Sequence, residues 1–239
     1  MARADAAFVV IEDFEDEGLG NYPNAATGAG GETPTVVADD GTKFGSTSNQ
    51  YARFYDSSGT GGGGIGHASF DFSDGVLASY SMDLIDVSGS RTIALSTTEP
   101  WSATRWVGQD FSASVPNNVV VKMTLLLNRS GSVQSFFDPV SSSNITLSDD
   151  AIALYYHDGT SYVQIVNNKA GDNSKPGPTR IFFYQGFDTG GQTLVDNIAK
   201  STLLEVDAIP EPGTLVLAGL GGLLMLPRRK RGAVAAARA

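Results

Sequence analysis

The chain reads as an all-β protein, a β-sandwich followed by a C-terminal hydrophobic helix. Two observations predict this. Short apolar or alternating segments recur about every ten residues, with Gly, Asn or Asp between them. No window before residue 208 carries the 3.6-residue periodicity of an amphipathic helix. Together these are the pattern of a sandwich or jelly roll.

In order, Phe8-Val9-Val10-Ile11 is a β-branched run, followed by the acidic stretch Glu12 to Glu17. Residues 21–31 are rich in Gly, Ala and Asn and read as loop. Thr35-Val36-Val37 is a short strand and Asp39-Asp40-Gly41 a turn. Tyr51 to Tyr55 is a strand, residues 57–66 a flexible loop, and His67 to Phe72 a further strand. Leu77 to Ile85 alternates, turns at Ser88-Gly89 and continues as Arg91 to Ser96. Trp106 to Phe111 is ambiguous. Val119 to Leu127 alternates again, and Asn128 to Gly131 turns it toward Val133 to Phe137. Ala151 to His157, Asp158-Gly159 and Tyr162 to Val166 form the clearest hairpin. Ile181 to Tyr184 and Thr193 to Ile198 complete the body.

The 239 residues suggest one domain, 1–207, and a tail, 208–239. The tail carries five basic residues against Glu211, so it is +4; the chain's −10 leaves −14 on the body. An acidic body argues against nucleic acid, whose phosphates need Lys and Arg. It suits cations or neutral glycans. With no cysteine there is no disulfide, thiol nucleophile or thiolate metal site. Ala2-Arg3-Ala4-Asp5-Ala6 reads as small-residue cleavage sequence, so the expected start lies near the mature end of a signal peptide.

The tail holds the most specific signal. Pro210-Glu211-Pro212 breaks the preceding element, because each proline lacks a backbone donor and restricts its predecessor. Residues 213–226 carry no charge, and Arg228-Arg229-Lys230-Arg231 follow, a flank expected to stay cytoplasmic. As a helix the apolar run would rise about 20 Å against a hydrocarbon core of roughly 30 Å, short for a permanent anchor. This order of parts resembles the PEP-CTERM sorting tail of Gram-negative, biofilm-forming bacteria. The resemblance implies export, transient inner-membrane anchoring by the tail, and processing near Pro210, Glu211 and Pro212 by an exosortase. It implies a destination in the envelope or extracellular matrix. A plain single-pass tail anchor is the alternative, but such an anchor has no reason to carry Pro-Glu-Pro.

The body's ends carry Asp13-Phe14-Glu15 and Asp196-Asn197-Ile198. These resemble the first and last strands of β-sandwich modules that bind carbohydrate, whether galactose-binding-like or concanavalin/laminin-G-like. The resemblance implies that Asp13, Glu15 and Asp196 hold a structural calcium, which takes six to eight oxygen ligands. Glu12, Asp16 and Glu17 read as surface charges. Trp101, Trp106, Tyr155, Tyr156 and Tyr162 are candidate stacking platforms for sugar rings. Tyr155 and Tyr156 point to opposite faces of a strand, so one of them is expected to be exposed.

Other chemistry finds less support. Gly59 to Gly64 matches the dinucleotide fingerprint literally, but a strand follows it where that site needs a helix. His67 and His157 sit in no catalytic motif, and no Glu-x-Asp-x-Glu strand offers paired carboxylates for glycoside hydrolysis. The expectation is a non-enzymatic exported protein that binds exopolysaccharide or builds biofilm matrix. A secreted glycoside hydrolase or lyase of the same fold is one alternative. An adhesive structural protein without a glycan site is the other.

Overall fold

A computed structural model describes residues 8–23, 25–26, 33–56, 64–65, 77–88, 90–98, 104–186 and 191–207. The chain divides into two units, Met1–Asp207 and Ala208–Ala239. The second unit, with the expected hydrophobic helix and basic flank, lies outside the described residues, as do the segment 67–72, most of the glycine loop and Trp101. No helix among the described residues is long and apolar enough to cross a membrane.

Among the described residues the body is entirely strand and loop. Its large sheet contains β1 (Val9–Glu12), β2 (Gly20–Asn21), β4 (Thr35–Ala38), β5 (Gln50–Asp56), β7 (Leu77–Ser88), β10 (Val120–Asn128), β13 (Ala151–His157), β14 (Tyr162–Ala170) and β16 (Gly191–Ser201). Their order is β14-β13-β10-β7-β16-β5-β4-β2, with β1 added on β16. The second sheet contains β3 (Ala25–Ala26), β6 (Gly64–Ile65), β8 (Ser90–Ser96), β9 (Arg105–Asp110) and β15 (Arg180–Gly186), ordered β3-β6-β15-β8-β9. A hairpin of β11 (Gln134–Asp138) and β12 (Ser143–Leu147) stands apart. Every strand pair is antiparallel.

The period-2 rule explains the core. On β7, Ala78, Tyr80, Met82 and Leu84 face inward; on β10, Val121, Met123, Leu125 and Leu127 do the same. They pack with Ile93, Leu95, Trp106, Val107, Ile181 and Phe183 of the second sheet. The tilted Phe54–Phe183 ring pair, 4.7 Å between centroids, links the two layers.

The alternation also predicts a solvated outer face, and there the chain departs from it. Ser79 and Ser81 on β7 and Thr124 on β10 are buried, although all point away from the second sheet. The segment after β16 folds back across them. Ser79 Oγ donates to the Leu203 carbonyl at 2.8 Å and accepts from the Glu205 amide at 2.9 Å. Ser81 Oγ donates to Asp207 at 2.5 Å, and Tyr162 donates to the Asp207 carbonyl at 3.1 Å. Leu204 and Val206 then join Leu126, Tyr155, Phe136 and Leu147 in a second apolar cluster. Hydroxyls of Ser79, Thr124, Tyr162 and Ser201 bond the Leu203, Glu205 and Asp207 backbone groups where a strand would use a ladder.

Candidate functional site

Two acidic clusters form where the first and last strands meet. At the first, Phe14 adopts a left-handed conformation with φ of 62° while fully buried. Its amide donates to Glu12 Oε1 at 2.8 Å, and the Tyr22 hydroxyl donates to Glu12 Oε2. Phe14 and Tyr22 meet edge to face at 5.4 Å. This tight reversal gathers Glu12, Asp13 and Asp16, whose ligand oxygens lie within 4.8 Å of one another. Glu12 is therefore a buried member of the cluster, not the surface charge expected from the sequence.

The second cluster sits on the outer face at the centre of the large sheet. Asp83 on β7 lies directly opposite Lys122 on β10 and opposite Asp196 on β16. A bulge follows Asp196, and Asn197 takes φ of 49°. The bulge turns the Asn197 side chain back, so its Nδ2 donates to Asp83 Oδ2 at 3.0 Å and to Asp196 Oδ2 at 3.2 Å. Asn49 Nδ2 donates to Asp196 Oδ2 at 2.8 Å, and the Asn197 amide to Oδ1 at 2.7 Å. Lys122 Nζ pairs with Asp83 Oδ1 at 2.8 Å. Glu15 accepts from the Gln50 amide at 2.8 Å and lies close enough to repel Asp196.

The expected calcium trio is thereby split. Asp13, Glu15 and Asp196 do not bring ligand atoms within 4.8 Å of one another; Asp13 joins Glu12 and Asp16, while Glu15 falls on the side of Asp196. The left-handed turn at Phe14 causes this, because it separates residues that a continuous strand would have kept on one face.

Of the expected aromatic platforms, Trp106, Tyr155 and Tyr156 are buried. Trp106 is 2% exposed, under Gly171 and the Arg129 guanidinium, which stands 5.6 Å from the ring centroid. Tyr155 and Tyr156 are both buried. Both faces of β13 are covered, the inner by the main core and the outer by the β11–β12 hairpin. Tyr162 is half-buried, with its ring 4.4 Å from His157. Tyr55 is the aromatic that sequence reasoning passed over: it is 40% exposed, with Arg53 5.6 Å from its ring.

Burial pushes Asp196 up to about 6, with Asp83 and Glu15 adding repulsion against the Asn49 and Asn197 hydrogen bonds. Burial likewise pushes Asp86 up to about 6 despite Arg91. Both folded-state values exceed the ordinary carboxylate value, so the folded state binds extra protons between about 4 and 6. That stability is present at low pH and lost as pH rises through about 6. The unfolding free energy from urea titration is expected to be higher at pH 5 than at pH 7.5, by about 1 kcal/mol for each group once solvent screening is allowed for. Asp196→Asn should remove its share of the difference; a flat profile between those pH values would contradict both shifts.

Residues 208–231 match the family described as the PEP-CTERM protein-sorting motif. The tail is thus the sorting signal of an exported, exosortase-processed protein. No curated protein matches the chain. Among solved structures, domain 4 of an extracellular arabinanase from Geobacillus stearothermophilus, in complex with arabinotriose, is similar at 11% identity and a TM-score of 0.40, covering 82% of this chain and 93% of that one. A xylan-binding domain of Paenibacillus barcinonensis is similar at 12% identity and 0.36, covering 86% and 100%. A two-module xylanase fragment of Clostridium thermocellum is similar at 15% identity and 0.36, covering 82% and 28%.

Proposed function

We propose that this exported, sorted protein is a structural component of the envelope or extracellular matrix of a Gram-negative bacterium, its β-sandwich serving as a scaffold. The observation that supports this reading is the covered sheet face. The outer face of β13, β10 and β7, where a glycan cleft would need room, is filled by the β11–β12 hairpin and by residues 203–207. The Asp83–Asp196 carboxylate pair suits hydrolysis poorly, because Asp196 is fully buried and out of reach of a sugar ring. Exopolysaccharide binding is the second reading, favoured by the exposed Tyr55 beside Arg53.

A structural calcium belongs to this proposal at Glu12, Asp13 and Asp16, not at the trio expected from the sequence. Three carboxylates this close repel one another, and a hard cation would relieve that repulsion. Both Glu12 oxygens already accept a hydrogen bond, so Asp13, Asp16 and water would supply most of the coordination.

One set of experiments tests all of this. Affinity electrophoresis of the exported protein against a panel of bacterial exopolysaccharides should show no retardation. Retardation by one polymer, lost in Tyr55→Ala, would replace the scaffold reading by the glycan one. The melting temperature should fall by several degrees in EDTA and recover with calcium, since a ligand at a hundred times its Kd adds about 2.7 kcal/mol. An unchanged melt removes the calcium. Pro210→Ala with Pro212→Ala should leave the chain unprocessed in the membrane fraction; normal processing would show that the exosortase does not read these residues.

A further inference from the structure

We propose that Lys122 and Asp83 are the reacting pair of an intramolecular isopeptide crosslink that joins β10 to β7 covalently. Their placement is the first support. The two residues are exact cross-strand partners in neighbouring strands at the middle of the large sheet. Lys122 Nζ lies 2.8 Å from Asp83 Oδ1, so the nucleophile already sits within contact distance of the carboxyl it would attack. A cross-strand Lys–Asp pair is by itself ordinary and weak. This pair differs in its surroundings. The side chains are only 26% and 19% exposed, and the buried acid Asp196 stands opposite Asp83 on the other neighbouring strand.

The Asn197 side-chain amide bridges Asp83 and Asp196, holding Asp83 Oδ2 while Oδ1 faces the lysine. The carboxyl is therefore fixed with one oxygen on an amide donor, the polarised arrangement that attack at Cγ requires. Asp196 anchors that amide in turn: its Oδ2 accepts from the Asn197 and Asn49 side chains and its Oδ1 from the Asn197 backbone amide.

The chemistry balances without a cofactor. The Lys122 ammonium first passes one proton to the Asp83 oxygen that it touches; the freed Nζ lone pair then forms a bond to Asp83 Cγ, and one Cγ–Oδ bond breaks. The departing oxygen, already carrying that first proton, takes a second from Nζ and leaves as water. The third proton stays on the new amide nitrogen. One positive and one negative charge become a neutral amide; nothing is oxidised or reduced. Held geometry supplies what a condensation in water lacks, since well-oriented groups act at effective concentrations far above any in solution. A chain without cysteine would gain by this bond the covalent tie that a disulfide gives other exported proteins.

The test is peptide mapping of the purified full-length protein by tandem mass spectrometry, after incubation at pH 6. The expected product is a branched peptide joining the segment with Asp83 to the segment with Lys122, lighter than their sum by one water. Trypsin should fail to cut after Lys122. Lys122→Arg and Asp83→Ala should each abolish the branch, and Asn197→Ala, which removes the donor on Asp83 Oδ2, should slow its appearance at least tenfold. Two linear peptides at full mass would overturn the proposal. So would a water loss confined to the Asp83-Leu84 peptide, which is a succinimide and joins no second strand. The wild-type map decides the question even where a variant does not fold. A branch forming at an unchanged rate in Asn197→Ala would overturn the part given to the Asn197 amide.

Discussion

Arg91→Met is expected to destabilise the body by about 3–5 kcal/mol. Arg91 is 1% exposed, among the largest fully buried side chains. Its Nη1 pairs with Asp86 Oδ2 and its Nε donates to the Ser88 carbonyl at 2.9 Å. These residues stand where the chain leaves the large sheet at the end of β7 and enters the second sheet at β8. The Phe111 amide also donates to the Arg91 carbonyl, and the Asn118 amide to that of Asp86, so both flanking loops are tied to the same corner. Methionine keeps much of the volume but leaves the Asp86 carboxylate buried without a cation. The loss should be largest at neutral pH and smaller at pH 5, where Asp86 takes up a proton and the buried charge disappears. Denaturant midpoints at the two pH values check both parts. A second substitution, Asp86→Asn, should recover at least half of the loss at pH 7, because it removes the stranded charge. A loss under 1 kcal/mol at neutral pH would mean that the pair is no more than a replaceable polar contact.

That corner also shows where sequence reading stops. Alternation at Leu77 to Ile85 and Val119 to Leu127 is enough to place β7 and β10 and to name their inward residues. The Asp158-Gly159 turn is enough to pair β13 with β14, with Gly159 at φ of 91°. Arg91 lies on a strand that the sequence does place, yet nothing in the pattern says that its charge is buried. The two-residue strands β2, β3 and β6 are too short for any period to show. β12 is mostly exposed, and its Ser143-Asn144-Ile145-Thr146 reads as polar loop.

The candidate sites were legible only in part, for one physical reason. Sequence gives the face of a strand but not what lies over that face. Tyr155 and Tyr156 do point opposite ways, and both are buried because each face has its own cover. Asp83 and Lys122 are separated by a long stretch of chain, so only register across β7 and β10 brings them together. Asp196-Asn197-Ile198 was legible as a motif, but the bulge that lets Asn197 bridge two carboxylates was not. Asn in the left-handed region is the signal that could have found it.

Gly171→Ala tests how tightly the body closes over its buried tryptophan. A Cβ at Gly171 would stand 2.0 Å from Trp106 Cε2 and 2.1 Å from Cζ2, far inside contact distance. Neither side has an easy retreat. The Gly171 amide donates to the Asp150 carbonyl at 2.8 Å, and the Asp172 amide to the Trp106 carbonyl at 2.7 Å, which pins the loop on both sides of the ring. Trp106 packs in the main core, and Arg129 covers it while pairing with Asp150 at 3.3 Å. The methyl group must therefore open the loop or push the indole from its site, at a cost of about 2–4 kcal/mol. The expected signature is a red-shifted Trp106 emission in a Trp101→Phe background, together with a lower denaturant midpoint. If the midpoint moved and the emission did not, the loop alone would have opened. If neither moved, the close approach of Gly171 to Trp106 would not be what holds the ring in place.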